Sequence, residues 1–311
     1  MSLLSLIAAL LLEQLHPLSS RKYLYNWLAG YVNFFQRNFN AGEAKHGRIA
    51  WILAVGLPLI LVTSVHFLLL RVHPVFAWAF SVLVLYLTMG FRQFSHYFTD
   101  IHVALREKQL DKARTLLGEW LGKSCEELNY EEVARVTIEQ ALLASHRNVF
   151  GVVFWFVVFM MLGLGPIGAI LYRLALFLYK RWGTQDEADF GNYGVFARQA
   201  YHIMEWLPLR LTASTFAIVG NFEDTAYCWR NQAQNWPDPE TGILLASGAG
   251  ALGVRLGQTI VQDQQPEFRP ELGIGDEADA DFMQSAVGLV WRALVFWLFM
   301  LLLLTVANLL G

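Results

Sequence analysis

Hydrophobic residues fall into long runs separated by polar stretches, and the longest run lies between residues 148 and 179. Arg173 is the only charged residue within it. About 20 apolar residues cross the hydrocarbon core of a bilayer, so this run is too long for one ordinary span. Gly163-Leu-Gly-Pro166 interrupts it, and proline lacks a backbone donor and disfavours helix in the residue before it. The pattern therefore predicts two antiparallel membrane segments, 148–163 and 166–181, joined by a tight tip.

Other apolar runs also have the composition of membrane segments. Residues 50–70 contain His66 as their only ionisable residue, and residues 74–90 follow after a short turn, which predicts a second hairpin. Residues 286–310 predict a last span. Residues 3–14 predict a short span or an interfacial helix, because the run is short and no basic region precedes it as in a signal peptide.

Three polar regions separate the apolar runs: residues 17–49, 91–147 and 183–285. In the second region, apolar residues recur with helical spacing from Ala113 to Leu121. Asn129 followed by Glu132 predicts a capping box at the start of another helix. Alternating runs typical of β-strands are few. The sequence therefore predicts an all-α fold: one domain over residues 1–311, a polytopic helical membrane protein with two short-tip transmembrane hairpins, a C-terminal span and helical cytoplasmic segments.

Loop charge predicts the orientation. Two hairpins with short tips place all three polar regions on one side of the membrane. Residues 91–147 carry eight Lys and Arg and residues 17–49 carry five, so the positive-inside rule identifies that side as the cytoplasm. The prediction is a multi-pass protein of the bacterial inner membrane, with its polar regions cytoplasmic and its C-terminus outside.

Composition agrees with a lipid bilayer as the partner. The chain is 55% hydrophobic and 16% charged, against about 25% charged residues in soluble domains. A net charge of −3 gives no indication of nucleic-acid binding. The closest histidine pair, His96 and His102, does not have the i, i+3 or i+4 spacing of metal ligands on one helix face, so we expect no metal site. The oligomeric state stays open, a homo-oligomer included.

Residues Ser247-Gly-Ala-Gly-Ala-Leu-Gly253 contain the spacing GxGxxG. A dinucleotide site needs a strand before this motif, and the preceding apolar segment is short. The alternative is a helix that uses small residues for close packing, with Ala249/Gly253 and Gly253/Gly257 as pairs. The context favours the helix.

Arginines are the candidate ligand-binding residues. Arg210, Arg230 and Arg255 are candidates for a shared anion site, because guanidinium groups bind phosphate and carboxylate bidentately. The alternative is pairing with nearby carboxylates such as Glu205. Arg173 lies within an apolar run, where ionisable residues are often functional, although it also has the length to reach the cytoplasmic face.

Several motifs carry a family likeness: Pro208-Leu-Arg-Leu-Thr-Ala213, Ala249-Gly-Ala-Leu-Gly-Val-Arg-Leu-Gly257, Arg269-Pro-Glu-Leu-Gly273 and Tyr172-Arg173. They resemble segments of the CobD/CbiB family, the adenosylcobinamide-phosphate synthases, and the likeness covers most of the chain. It implies an inner-membrane protein of cobalamin biosynthesis that joins an aminopropanol, or its phosphate, to the side-chain carboxylate of cobyric acid. A corrinoid is then the expected substrate, and ATP and magnesium the expected cofactors of a synthase.

The resemblance also selects candidate substrate-binding residues: Arg173, Arg210, Arg255, Glu139 and Glu205. No catalytic residue is assigned. Amide formation of this kind needs an activated carboxylate and groups that bind anions. The arginines are the positions that match this requirement.

The chain departs from the family in its acidic motifs. The family's E-S-x-A-E-N-x-x-D-G segment falls near Glu139–Gly151, where Glu139 remains but the Glu-Asn pair and the Asp are missing. Such groups are natural magnesium ligands. Their loss favours an alternative function without catalysis. Glu13 and the segment Glu205–Leu211 resemble AmpE, a second branch of the same superfamily. That likeness implies a regulatory or signalling membrane protein linked to β-lactamase induction, so both functions stay open.

Overall fold

The computed structural model describes residues 2–15, 21–185, 190–262 and 265–310. Within these ranges the fold is predominantly helical, which confirms the all-α prediction. The parts of the predicted polar regions at residues 17–20, 186–189 and 263–264 lie outside the described residues.

The α-helices are, in chain order, α1 (Ser2–Leu15), α2 (Arg21–Phe39), α3 (Ala44–Val72), α4 (Pro74–Thr88), α5 (Phe91–Arg106), α6 (Leu110–Leu121), α7 (Tyr130–Ser145), α8 (Gly151–Met161), α9 (Ile167–Leu178), α10 (Val195–Val219), α11 (Phe222–Asn231), α12 (Pro239–Leu252) and α13 (Ala280–Leu310). Two π-helical segments (His146–Phe150 and Tyr179–Gly183) and a 3-10 turn (Ala233–Asn235) accompany them. The strands are β1 (Leu256–Gly257), β2 (Ile260–Gln262), β3 (Gln265–Glu267) and β4 (Glu271–Leu272).

The chain forms two compact units. The first consists of Met1–Gly90 and Gly151–Leu207, and the second of Phe91–Phe150 and Pro208–Gly311. The prediction of a single domain concerns the chain as a whole and stays a prediction.

Three of the described helices are long and apolar enough to cross a membrane: α3, the continuous helix Tyr130–Met161, and Ala280–Ala307 of α13. Only 17% of the most apolar window of α3 is buried within the protein. Its exposed side chains include Ile60 and Leu68, each more than 60% accessible. Apolar surface of this extent needs a nonpolar environment. The three helices therefore indicate a membrane protein.

Both hairpin tips lie in the first unit and are built by local turn chemistry. Between α3 and α4, the Nδ1 atom of His73 accepts a hydrogen bond from the Val75 N–H at 3.2 Å, and Pro74 takes the first helical position. Between α8 and α9, Gly163 and Gly165 adopt φ values of +73° and +76°, which favour glycine. The chain thus reverses within a few residues, at the sites where the sequence predicts tips.

Helix α7 is the central element of the second unit, where α5, α6, α12 and α13 pack around it. Its N-terminus has the predicted capping box: Asn129 Oδ1 accepts from the Glu132 N–H at 2.9 Å, and Glu132 Oε2 accepts from the Asn129 N–H at 2.8 Å. Helix α6 ends at Gly122, which adopts φ +72° as a C-terminal stop requires.

Two features of residues 242–273 differ from the sequence expectations. The GxGxxG stretch is helical up to Leu252, where α12 ends. Gly253 adopts φ +68° beyond the helix, so the expected close-packing pairs Ala249/Gly253 and Gly253/Gly257 are both wrong. Gly250 packs closely instead, since a Cβ there would lie 2.6 Å from the Asp224 carbonyl oxygen. The pairs β1–β4 and β2–β3 were also not expected, because alternation cannot be recognised in strands of two or three residues.

Candidate functional site

Two of the family-like motifs, residues 249–257 and 269–273, meet in the second unit. The Arg255 N–H donates to the Asp276 carbonyl at 2.9 Å, and β1 pairs with β4. Gly257 adopts φ +75°, and a Cβ at this position would overlap the Pro270 carbonyl oxygen. Both the backbone conformation and the close approach therefore require glycine at this crossing.

Glu139 of α7 holds this crossing in place. The side chain is 4% exposed, and its Oε1 atom accepts from the Gly257 N–H at 2.7 Å. Its Oε2 atom accepts from Arg269 Nη1 at 2.6 Å. Arg269 in turn donates to the carbonyl oxygens of Gln258 and Gly257, both at 3.2 Å, and lies over the Trp236 ring. Since both carboxylate oxygens of Glu139 bind other parts of the protein, we assign this residue a positioning role.

A second ionic group lies one helical turn earlier on α7. Arg135 is 4% exposed and donates through Nη1 to the Gln258 side-chain oxygen. The carboxylate of Glu277 lies between Arg135 and Arg255: its Oε2 atom is 3.7 Å from Arg135 Nη1, and its Oε1 atom is 3.1 Å from Arg255 Nη2. We call Arg135 and Arg255 the arginine pair. Together with the Glu139–Arg269 ion pair, it forms one charged network, to which α7 contributes Arg135 and Glu139.

The motif at residues 208–213 meets the C-terminal end of α7. The Thr212 hydroxyl donates to the Pro208 carbonyl at 2.9 Å, so it accepts from the His146 Nδ1–H, also at 2.9 Å. Both side chains are fully buried. His146 begins a π-helical segment, an element that is frequent at functional sites. Arg210 lies in the same motif on α10 and is half-buried.

Glu205 belongs to the first unit, in a different setting. It is 2% exposed and accepts hydrogen bonds from the hydroxyls of Tyr172 and Tyr201, each at 2.7 Å. Gly151 makes room for the Tyr172 ring, which a Cβ would overlap. Two hydroxyl donors stabilise a buried carboxylate, because hydrogen bonds to charged groups are the stronger kind.

Arg173 is also in the first unit. Its Nε atom donates to the Thr88 carbonyl at the end of α4. A cation at a helix C-terminus satisfies a carbonyl that has no partner within the helix and interacts favourably with the helix dipole. The structure thus gives this candidate a helix-capping contact.

Among the predicted residues, Glu139 and Arg255 lie in the charged network of the second unit, whereas Arg173 and Glu205 belong to the first unit. Sequence reasoning missed Arg135 and Glu277 and did not select Arg269. Arg135 precedes Glu139 by four residues, so helical spacing was an available signal. No sequence signal identified Glu277, because its contacts depend on how the chain returns to α7.

The donor set of the network determines which ligand it fits. Glu139 and Glu277, the carboxylates nearest to the arginines, are 2.6 Å and 3.1 Å from guanidinium nitrogens. Magnesium would have to displace these arginines, because it needs several free oxygen ligands. The network therefore does not fit magnesium.

Comparison with known proteins identifies the family. The family model described as "CobD/Cbib protein" matches residues 4–290. A relative from Stutzerimonas stutzeri, "Cobalamin biosynthesis protein CobD", is 34% identical over 303 residues, 96% of each chain. A protein of the same name from Chromobacterium violaceum is 37% identical over 254 residues, 78% of this chain and 79% of its own. "Cobalamin biosynthesis protein CbiB" from Salmonella typhimurium is 22% identical over 280 residues, 86% of each chain.

No solved structure matches the chain significantly. The matching family and these relatives lend no support to the AmpE-like alternative. Both the extent of the family match and the identity to the first two relatives lead to one conclusion. This chain belongs to the CobD/CbiB family.

Proposed function

We propose that the protein acts in cobalamin biosynthesis and joins an aminopropanol, or its phosphate, to the side-chain carboxylate of cobyric acid. The family match over residues 4–290 and the names of the relatives support the pathway. The observation that carries the proposal is the charged network, in which two family-like motifs fold against α7 and bring Arg135 beside Arg255.

The chemistry of amide formation suits this network. A carboxylate must be activated, for example by transfer of a phosphoryl group, before an amine attacks it and the phosphate leaves; the carboxylate and this leaving group are both anionic. Guanidinium groups stabilise such anions through charge-assisted hydrogen bonds. The buried ion pair of Glu139 and Arg269 orients the backbone at Gly257, so the arginine pair is presented on a fixed support.

We further propose that the protein spans the inner membrane several times, with its polar regions in the cytoplasm. The three candidate spans and the basic residues of the polar regions support this orientation. A phosphatase reporter fused after Gly311 should be active, since this enzyme folds only outside the cytoplasm. An inactive phosphatase fusion combined with an active cytoplasmic reporter at the same position would contradict the orientation.

Complementation tests the synthase function. A host that lacks its synthase should grow on cobinamide, the amide product, and should need this protein to grow on cobyric acid. We expect rescue by the wild-type chain and its loss in Arg255→Ala and Arg210→Ala, with both variants still present in the membrane. Arg37→Ala is the matched control, because Arg37 is exposed in the last turn of α2 and belongs to none of the candidate sites. No rescue by well-expressed wild-type protein would refute the synthase proposal.

A further inference from the structure

The carboxylate of Glu277 only partly satisfies the arginine pair. The distance of 3.7 Å from its Oε2 atom to Arg135 Nη1 is too long for a hydrogen bond. The Nε atoms of Arg135 and Arg255 are both buried and have no hydrogen-bond partner among the residues that the structure describes. Buried donors without acceptors are costly, and the cost is higher when the group is charged. The Glu132 carboxylate also lies near Arg135, but its Oε1 atom is 4.0 Å from Nη2, again too far for a hydrogen bond. Within the described part of the chain, the pair therefore has more donors than its acceptors occupy.

A phosphate group matches these donors better than a carboxylate does. A carboxylate offers two oxygens in one plane, whereas a phosphate monoester offers three terminal oxygens in a tetrahedral arrangement and up to two negative charges. Two guanidinium groups that approach from different directions can each bind one phosphate oxygen. The third phosphate oxygen then remains free to accept a hydrogen bond from an Nε donor. We propose that the arginine pair is a binding site for a terminal phosphate group, of a phosphate monoester or of a nucleotide, and that Glu277 is an internal occupant which the ligand displaces.

The surroundings of the pair identify Glu277 as the group that moves. Arg135 is fixed on α7, and Gln258, which bonds to it, has φ +64° and is held through its carbonyl by Arg269. Glu277 is instead 37% exposed and lies in the link between Gly275 and the start of α13. The link backbone is anchored at Asp276, so rotation of the Glu277 side chain alone is enough to release the site.

This inference deepens the proposed function and rests on it for the identity of the natural ligand. Two phosphate sources are compatible with the site, a phosphorylated amino alcohol and a nucleotide. Both share the phosphate monoester or anhydride oxygens that guanidinium groups bind. Binding measurements on the full-length protein in detergent distinguish these sources, without requiring any turnover.

The experiment is isothermal titration calorimetry with inorganic phosphate, 1-amino-2-propanol phosphate, unphosphorylated 1-amino-2-propanol, and a non-hydrolysable ATP analogue without magnesium. We expect phosphorylated ligands to bind at least about tenfold more tightly than the unphosphorylated amino alcohol, since charge-assisted bonds to phosphate are among the stronger hydrogen bonds. Whichever phosphorylated ligand binds most tightly identifies the source of the phosphate, and each of these results supports the site.

Variants test the arginines and the internal occupant separately. Arg255→Gln should weaken phosphate binding about tenfold or more, and Glu277→Gln should strengthen it by about tenfold, because a neutral amide competes less well for a guanidinium. In the double variant the gain from Glu277→Gln should disappear. Glu271→Gln removes the same charge from an exposed position on β4 and should leave affinity unchanged. Arg135→Gln serves as a further variant if its melting curve shows a folded protein.

Two results would overturn the inference. The first is a phosphate affinity that is unchanged in Arg255→Gln. The second is a phosphate affinity in Glu277→Gln that is no higher than in the Glu271→Gln control. The growth test on cobyric acid is independent of these measurements. Phosphate binding that depends on the arginine pair, without rescue of growth, would support the phosphate site and refute the proposed function. Rescue of growth, combined with a phosphate affinity that is unchanged in the Arg255 and Glu277 variants, would support the proposed function and refute the phosphate site.

Discussion

Replacing Glu139 by Gln tests whether the buried ion pair holds the C-terminal motifs in place. The change keeps the shape of the side chain but removes its charge. One oxygen remains to accept the Gly257 N–H, so the amide nitrogen faces the Arg269 guanidinium, which is then buried beside another donor. Breaking a buried ion pair by removing one partner costs about 3–5 kcal/mol. Arg269 retains its two backbone acceptors and the Trp236 ring, so we expect the lower end, about 3 kcal/mol.

Thermal unfolding followed by tryptophan fluorescence measures this effect in purified protein. For units of this size, 1 kcal/mol corresponds to about 2–4 °C, so Glu139→Gln should lower the unfolding midpoint by roughly 6–12 °C. Glu126→Gln is the matched control, since Glu126 is exposed, and surface changes of this kind shift the midpoint by less than about 2 °C.

A double-mutant cycle decides whether the two residues act together. Combining Glu139→Gln with Arg269→Gln should cost less than the sum of the single variants, with a coupling energy of about 1–3 kcal/mol. Strict additivity, or a Glu139→Gln midpoint equal to that of Glu126→Gln, would refute the proposed positioning role.

Three further predictions concern local features. Gly257→Ala should destabilise the protein by about 1–3 kcal/mol in the same melting assay, because it forces a Cβ into φ +75° and against the Pro270 carbonyl; an unchanged midpoint would contradict the crossing geometry. Asn129→Ala should cost about 1 kcal/mol through loss of the capping box, whereas Asn129→Asp should cost little, and equal midpoints for the two variants would count against the cap. Burial, with a smaller effect from the Asp224 charge, raises the pKa of the Cys228 thiol from 9.0 to about 11. In a Cys125→Ala background, maleimide at pH 8 should therefore label only unfolded protein. Because the folded pKa lies above the unfolded one, this thiol's contribution to stability is present below pH 9 and is lost as pH rises towards 11.

Local sequence patterns were sufficient to predict the helices and their ends. The apolar length of α3, the Gly163–Pro166 interruption, the Gly122 stop and the capping box at Asn129 each depend on interactions within one or two turns. Hydrophobic periodicity and capping chemistry act at this range, so the sequence determines them before any tertiary contact forms. The motif likeness likewise identified two segments of the network, although not their arrangement.

The partners of the charged side chains were decided only by the tertiary structure. Glu139 and Arg269 are 130 residues apart, and Arg135 and Glu277 are brought together by the return of the chain after the short strands. Arg173 similarly finds its acceptor at Thr88, on a helix far away in sequence. A charge in a sequence has many candidate partners, and burial, crossing angles and backbone contacts select among them. That selection separates Glu139, which holds the backbone at Gly257, from Arg255, which pairs with the partly exposed Glu277.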